Sequence, residues 1–189
     1  GTYGSFTIDA ATGAWKYDLN NATAQALAAG EAKTETFAVT VTDDKGATAT
    51  QNVVVTVTGS NDAPLISTTT TATGAVVEDG TLSATGTVAS SDVDVTGKTA
   101  TYTGSKAGTY GSFTIDAATG AWKYDLNNAS AQALAAGEAK TETFAVTVTD
   151  DKGATATQNV VVTVTGSNDV PVISTTTTAT GAVVEDGTL

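Results

Sequence analysis

Residues 141–169 read TETFAVTVTDDKGATATQNVVVTVTGSND, and this stretch decides the fold. In FAVTVT (144–149) apolar side chains alternate with polar ones, so an extended chain places the apolar side chains on one face. VVVTVT (160–165) alternates in the same way after the turn sequence DDKG (150–153). Val and Thr are β-branched and favour pleated strands. The stretch therefore predicts a β-hairpin with one buried face.

The same hairpin sequence occurs earlier in the chain, at residues 34–62, and belongs to a longer repeat. Residues 1–62 return as residues 108–169, a period of 107 residues, and the only difference is Thr23 against Ser130. A period of this length is typical of an array of separate domains and too long for the thin coils of a solenoid.

The repeat also sets the expected domain bounds. We expect one complete repeat at residues 65–171, the C-terminal part of a preceding repeat at 1–64 and the N-terminal part of a following repeat at 172–189. About 100 residues is a common size for a domain with its own core. The chain is therefore expected to be a stretch of a longer tandem array.

Turn sequences divide the complete repeat into about seven antiparallel strands, which we name A to G. The expected ranges are A 66–77, B 82–89, C 98–104, D 108–115, E 120–126, F 141–149 and G 154–165. Between strands E and F, residues 127–137 carry Asn at the start, an Ala/Leu/Gln body and Gly137 at the end, which predicts a short helix. Seven alternating strands per repeat predict an all-β fold, a tandem Ig-like β-sandwich.

Composition excludes several classes of function. The formal net charge is −12 and the chain has no Cys, His or Met, so disulfides, thiol nucleophiles and Ser/His/Asp triads are not expected. Like charge repels phosphate, so nucleic acid is not an expected partner. No apolar run approaches the ~20 residues of a membrane-spanning helix, and membrane insertion is not expected. The chain is therefore predicted not to be an enzyme.

The predicted sandwich gathers acidic residues at both of its ends, because successive loops alternate between two poles. The N-terminal pole, formed by the B–C, D–E and F–G loops, collects Asp92, Asp94, Asp116, Asp150 and Asp151. The C-terminal pole, formed by the A–B, C–D and E–F loops and the outgoing linker, collects Glu78, Asp79, Glu138, Asn168 and Asp169. Carboxylates are thus expected where one repeat meets the next.

Five segments carry a resemblance to a known family. They are VEDGTLSATGT (77–87), DVD (92–94), GTYGSFTIDAATGAWKY (108–124), ALAAGE (133–138) and the linker NDAP (61–64). Together they resemble the VCBS repeat of giant bacterial surface adhesins, and strands F and G with their linker resemble cadherin-like repeats. The resemblance implies cadherin-like, Ig-like domains in tandem, stiffened by calcium and exported to the bacterial cell surface.

Calcium needs six to eight oxygen ligands on loops, and the poles and the resemblance nominate the same residues. The candidates for the joint at residues 61–64 are Glu31, Asn61, Asp62, Asp92, Asp94 and Asp150. The candidates for the next joint are Glu78, Glu138, Asn168 and Asp169. The alternative is that all of them are solvated turn residues, and for Asp79 and Asp116 the turn interpretation is preferred.

The sequence therefore favours a structural extender of a bacterial cell-surface adhesin or filament, with neighbouring repeats as head-to-tail partners. One alternative is a homopolymeric extracellular filament in which copies of the chain donate strands to one another. Another is a repeat that binds a surface glycan weakly and acts through avidity, as in biofilm attachment. For Trp15 and Trp122 a position in the core is preferred over a sugar-stacking platform.

Overall fold

The fold is seen in a computed structural model that describes residues 1–94, 100–176, 178–183 and 185. These residues form strands and two four-residue helices. In chain order the elements are β1 Gly4–Ile8, β2 Trp15–Leu19, α1 Asn21–Ala24, β3 Ala32–Thr42, β4 Thr48–Thr58, β5 Leu65–Ile66, β6 Thr73–Val77, β7 Ser83–Thr87, β8 Ser90–Ser91, β9 Thr101–Thr103, β10 Lys106–Ala107, β11 Gly111–Ile115, β12 Ala121–Leu126, α2 Asn128–Ala131, β13 Ala139–Thr149 and β14 Thr155–Thr165.

The complete repeat is a sandwich of two four-stranded sheets, which confirms the all-β prediction. One sheet has the order β10-β11-β12-β7 and the other the order β6-β14-β13-β9. Their inner faces meet in one core, where the rings of Phe113 and Phe144 stack with centroids 4.7 Å apart. The alternating valines of β14 point into this core, as the period-two pattern predicts.

Trp122 lies inside this core, where it is 2% exposed. Its indole N–H donates to the carbonyl oxygen of Thr71 at 2.7 Å, so the polar edge of the ring is satisfied. Gly74 and Gly86 lie against the ring. A Cβ added to Gly86 would lie 2.6 Å from the Trp122 ring, and one added to Gly74 would lie 3.0 Å from it. The core interpretation is confirmed for Trp122 but is wrong for Trp15, whose side chain is 52% exposed because residues 1–60 lack the strands that cover Trp122.

Three details differ from the predicted strands. Predicted strand A is divided into β5 and β6, because the chain turns at Ser67–Thr70, where the Thr70 amide donates to the Ser67 carbonyl. The second part, β6, runs parallel to β14, so the sheet is mixed rather than wholly antiparallel. Residues 98–99 of predicted strand C lie outside the described residues, and of the rest β9 covers only Thr101–Thr103, so this strand is shorter than predicted.

The helix between strands E and F exists but is shorter than predicted. It ends at Ala131, and Gly137 does not terminate it; Gly137 instead has a φ of +78° in the turn that leads into β13. The reason is that the chain must return to the sheet, where the Gly137 amide donates to the Gly166 carbonyl at 2.9 Å. In the described part of the chain, no helix combines the length and the apolar composition that crossing a membrane requires.

Residues 1–60 form two hairpins, β1–β2 and β3–β4, with the same registers as their copies in the complete repeat. They carry no copy of residues 65–107, which supply β6, β7 and β9 to the complete repeat. Several strand side chains, among them Trp15, Leu19 and Val41, are therefore more exposed than their copies in the complete repeat, whereas Leu27 is as buried as its copy Leu134.

Candidate metal centre

The linker between the two repeats is tied to two acidic loops at the N-terminal pole of the complete repeat. The side-chain amide of Asn61 donates to Asp150 Oδ2 at 2.8 Å. The backbone N–H of Asp62 donates to Asp94 Oδ2 at 3.2 Å. The structure thus brings together four of the residues predicted for this joint, two from the linker and one each from the B–C and F–G loops.

Asp94 is the most buried acidic residue at this pole of the repeat. Its side chain is 2% exposed, and its Oδ1 atom has no hydrogen-bond partner among the described residues. Asp92 lies beside it and accepts the Asp94 backbone N–H at 3.0 Å. Burying a carboxylate oxygen without a partner costs free energy, and buried charges in proteins are paired or coordinate metals. The unpartnered oxygen fits a cation.

Asp150 is held by its own turn as well as by the linker. Its Oδ1 accepts the backbone N–H groups of Lys152 and Ala154 at 2.8 and 2.9 Å. The hydrogen bond from Asn61, reinforced by these backbone donors, lowers the pKa of Asp150 below its ordinary value, against the opposing effect of burial. The carboxylate is therefore charged at neutral pH and available to a cation.

The C-terminal pole holds a second acidic group, formed by Glu78, Asp79 and Asp169. Each offers a carboxylate oxygen, and the three oxygens lie within 4.8 Å of one another. The parallel pairing of β6 with β14 creates this arrangement, because it places the end of β6 beside the outgoing linker. The Glu78 amide donates to the Thr165 carbonyl at 2.9 Å, and the Ser167 amide donates to Glu78 Oε2 at 3.1 Å.

The two acidic groups belong to equivalent joints. Asp62 and Asp169 are the same position of the repeat, 107 residues apart. Asp62 is bonded to Asp94 of the following repeat, whereas Asp169 clusters with Glu78 and Asp79 of the preceding one.

The remaining predicted ligands are not part of either group. The Glu138 carboxylate contacts the Lys140 ammonium and the Ala135 amide, and both lower the pKa of Glu138. Glu31, its copy, makes the same contacts with Lys33 and Ala28. Asn168 is exposed and donates to the Asp169 carbonyl at 3.3 Å.

Asp116 and Asp79, for which a turn role is preferred, have different surroundings in the structure. Asp116 Oδ1 accepts three hydrogen bonds from Ala118 and Thr119 within its hairpin, so the turn interpretation is confirmed. Asp79 also lies in a turn, with a φ of +54°, and its carboxylate lies near those of Glu78 and Asp169, so its turn interpretation stays a prediction. The pole argument already places these three residues at the same end of the repeat.

Residues 61–166, more than half of the chain, match the family of bacterial cadherin-like domains. The chain belongs to this family. Residues 1–56 of this cadherin-like chain also match the family of bacterial Ig domains. The cadherin-like fold is of an adhesion type and is not a known enzyme family. No curated protein matches the chain.

Solved cadherin structures resemble the chain over most of its length. The extracellular domain of protocadherin gammaB4 is 18% identical, with 88% of this chain and 25% of that chain covered and a TM-score of 0.48. Mouse cadherin-23 EC22-24 is 13% identical, with 88% and 50% covered and a TM-score of 0.48. Drosophila N-cadherin EC1-4 is 14% identical, with 89% and 43% covered and a TM-score of 0.49. The chain spans a quarter to a half of these solved chains.

Proposed function

We propose that the chain is a structural extender of a bacterial cell-surface adhesin, in which calcium at the joints makes a row of β-sandwiches rigid outside the cell. The observation that carries this proposal is the buried carboxylate of Asp94. One of its oxygens accepts the linker N–H of Asp62, and the other has no partner among the described residues. A cation at this point would join the linker to the following repeat.

The residues that would hold the ion are all oxygen donors. From the following repeat they are Asp92, Asp94 and Asp150, and from the linker they are Asn61 and Asp62. Carboxylate and carboxamide oxygens in this number suit calcium, whereas Cys and His, which softer metals prefer, are absent from the chain. When bound, calcium would supply the positive charge that offsets the repulsion among these carboxylates.

The chain's own contacts already limit the motion of the joint. Asn61 and Asp62 each donate one hydrogen bond to the following repeat, and Pro64, which is buried, fixes one backbone torsion of the linker. Without a cation, the like charges of Asp62, Asp94 and Asp150 oppose these bonds. Rigidity is therefore expected to depend on the ion.

The near-identity of the two copies supports a spacer over a ligand-binding repeat. Only the Thr23/Ser130 pair differs between residues 1–62 and 108–169, and a spacer needs only to repeat one shape. The glycan alternative relied on Trp122, but the indole ring lies in the core and offers no face to a sugar. The VCBS resemblance agrees with a spacer in an exported adhesin.

Calcium removal tests the proposal. Small-angle scattering and thermal melting of the 189-residue chain are recorded with calcium and with EGTA. We expect EGTA to broaden the distribution of interatomic distances and to lower the melting temperature. Identical scattering and melting in both conditions would contradict calcium at the joint.

A matched pair of variants distinguishes the effect of the ion on the melting temperature from the effect of the turn hydrogen bonds. Asp43 is the copy of Asp150 and accepts the same turn bonds, from Lys45 and Ala47, at 2.9 and 2.8 Å. Asp150→Asn is expected to remove most of the calcium-dependent rise in melting temperature, whereas Asp43→Asn should leave it unchanged. Equal effects of the two variants would show that the turn, and not an ion, is responsible.

A further inference from the structure

The strands of the sheet β6-β14-β13-β9 present no charged side chain on the outer surface. In each strand the alternation sends every second residue toward the core, as for Val146, and leaves the others on the outer surface. Counted from the first residue, the outward residues are every second residue of Thr73–Val77, Thr101–Thr103, Ala139–Thr149 and Thr155–Thr165. Most of them are threonines, and the others are alanines, valines and one asparagine. We call this surface the threonine face.

The strand register aligns the threonine side chains across the face. Thr147 lies between Thr103 of β9 and Thr157 of β14. The first copy has Thr40 and Thr50 in place of Thr147 and Thr157, and the hydroxyl oxygens of Thr40 and Thr50 lie 3.1 Å apart. Threonines on neighbouring strands can therefore pair through neutral hydrogen bonds. The face is thus polar without being charged, and its hydroxyls can pair with those of another threonine surface.

The outer surface of the opposite sheet differs in charge. There Lys123 and Asp125 of β12 form an ion pair at 2.8 Å. Thr85 and Thr114 lie on either side of Lys123, and both are exposed. The lack of charge is therefore a property of one sheet and not of the sandwich as a whole. The two sheets provide a matched comparison within one repeat.

The charge of the chain limits where two copies can approach each other. With a formal net charge of −12, two copies repel each other in most orientations. Contact between two threonine faces brings no carboxylate of the four strands against another carboxylate. Interface cores are poor in Lys, Glu and Asp, whose burial costs side-chain entropy and desolvation, whereas the β-branched threonine is already restricted in a strand. The threonine face therefore suits contact with a second copy of itself.

The size and the repetition of the face also indicate its partner. The outward residues cover about 500 Å² by the spacing of residues and strands in a sheet, less than the ~800 Å² that each partner contributes to a stable interface. One face alone would therefore bind weakly. The strand sequences of β13 and β14 recur in β3 and β4, so the outward residues repeat with the 107-residue period. A second copy of the chain presents its faces with the same period, and several weak contacts then act together.

We infer that the threonine face is a surface for lateral association, through which two copies of the chain lie side by side. The contact is isologous, because both copies use the same face. This association goes beyond the extender proposed above. It is independent of calcium, since none of the candidate calcium ligands is an outward residue of these strands. Extenders that lie next to one another would thereby be held together along their length.

Sedimentation equilibrium of the 189-residue chain tests the association. The chain is measured in EGTA over a range of protein concentrations, at low and at high sodium chloride. We expect a monomer–dimer equilibrium that shifts toward the dimer at high salt, because salt screens the repulsion between the acidic copies. A chain that stays monomeric in every condition, or a dimer that salt dissociates, would overturn the inference.

A double variant with a matched control locates the contact. Thr143→Glu/Thr157→Glu places two carboxylates on exposed positions of the threonine face. We expect this variant to associate at least about tenfold more weakly, because like charges then meet across the interface. Thr85→Glu/Thr114→Glu adds the same charge to exposed threonines of the opposite sheet and should weaken the dimer far less. Equal weakening by both pairs would show that net charge, and not the face, controls the association.

The wild type provides a measurement that does not depend on the folding of a variant. Backbone amide signals of the isotope-labelled chain are compared at low and at high protein concentration in EGTA. We expect changes at Thr147 and Thr157 and none at Thr85 and Thr114, whereas the reverse pattern would contradict the assignment of the face. Because EGTA removes calcium from every sample, failure of the dimer leaves the calcium proposal standing, and failure of the calcium proposal leaves the dimer standing.

Discussion

Trp15 and Trp122 occupy equivalent positions in two copies of one sequence but lie in opposite environments. The side chain of Trp15 is 52% exposed and that of Trp122 is 2% exposed. Each still contacts the phenylalanine of its own hairpin, with ring centroids 5.7 Å apart for Phe6 and Trp15 and 5.8 Å for Phe113 and Trp122. The difference therefore comes from the strands that cover the second copy, and the chain supplies its own control for many substitutions.

Replacement of the two tryptophans should have very different costs. Trp122→Ala removes a fully packed side chain and leaves a cavity, which typically costs about 3–5 kcal/mol of the free energy of unfolding. Trp15 is already largely exposed, so we expect Trp15→Ala to lower the free energy of unfolding by less than about 1 kcal/mol. Urea denaturation followed by circular dichroism measures both. Similar losses would mean that Trp15 is covered in solution.

Alanine substitutions at the equivalent glycines Gly13 and Gly120 distinguish the cost of backbone strain from the cost of steric crowding. Their φ angles are +71° and +69°, so alanine carries the same left-handed strain, about 1 kcal/mol, at either position. A Cβ at position 13 would meet nothing within 4 Å, whereas a Cβ at position 120 would lie 2.2 Å from the Val88 carbonyl oxygen. Gly120→Ala should therefore lose roughly 1–3 kcal/mol more than Gly13→Ala in thermal melting. Equal losses would show that Val88 moves aside without cost.

Much of the fold follows from the sequence because its strongest signals are local. The alternation in residues 141–165 depends only on which face of a strand is buried, and the structure has these strands where they are predicted. The predicted helix at 127–137 is too long because an Ala-rich sequence favours helix. In the structure the Gly137 amide donates to the Gly166 carbonyl instead of ending a helix. A hydrogen bond between residues distant in sequence thus overrides the local helix propensity of this segment.

The candidate site was less predictable because it depends on pairing and burial. Turn residues such as Asp94 and Asp116 look alike in sequence, yet Asp94 is buried beside the linker and Asp116 only closes its hairpin. The pole argument places Asp79 near Glu78 and Asp169, but their register depends on the parallel pairing of β6 with β14, which no local pattern encodes. The hydrogen bond from Asn128 to Asp79 spans 49 residues, and the sequence offered no signal for it.

A partly buried tyrosine–glutamate pair is expected to contribute to stability in each copy. The Tyr124 hydroxyl donates to Glu142 Oε2, and burial, with Glu142 second, raises the pKa of Tyr124 above its usual range. Glu142 also accepts the backbone amides of Thr109 and Tyr110, so it connects three parts of the repeat. Tyr124→Phe removes a hydrogen bond to a charged group and should cost about 1.5–3 kcal/mol in urea denaturation. No loss of stability would show that the hydroxyl finds water in the variant.

The equivalent pair in the first copy predicts an alkaline transition. Burial and the hydrogen bond to Glu35 raise the pKa of Tyr17 from 10.0 to about 12. Since this folded-state pKa is raised, the stabilisation is complete below pH 10 and is lost as the pH rises through about 12. Ultraviolet titration should show a late-ionising tyrosine that disappears in Tyr17→Phe. A titration curve unchanged by this substitution would contradict the assignment.

The hydrogen bond from the Asn61 side chain to Asp150 should be measurable as a lowered pKa of Asp150. Asn61 is the largest cause of the lowering of the Asp150 pKa below 3.8, and burial acts in the opposite direction. Because the folded-state pKa is depressed, the stabilisation is complete above about pH 3.8 and is lost as the pH falls through the lower folded-state value. Asn61→Ala should raise the Asp150 pKa, measured by carbon NMR of the carboxyl groups in calcium-free buffer.

The control for this measurement is the equivalent linker residue. Asn168 contacts the Asp169 carbonyl and no carboxylate among the described residues, so Asn168→Ala should leave the pKa of Asp150 unchanged. If Asn61→Ala also leaves it unchanged, the linker does not hold the F–G loop in solution. The rigidity of the joint would then depend on the ion alone, and small-angle scattering in EGTA should show two repeats that move independently of each other. A raised pKa with partial loosening under EGTA would instead show that the hydrogen bond and the ion act together.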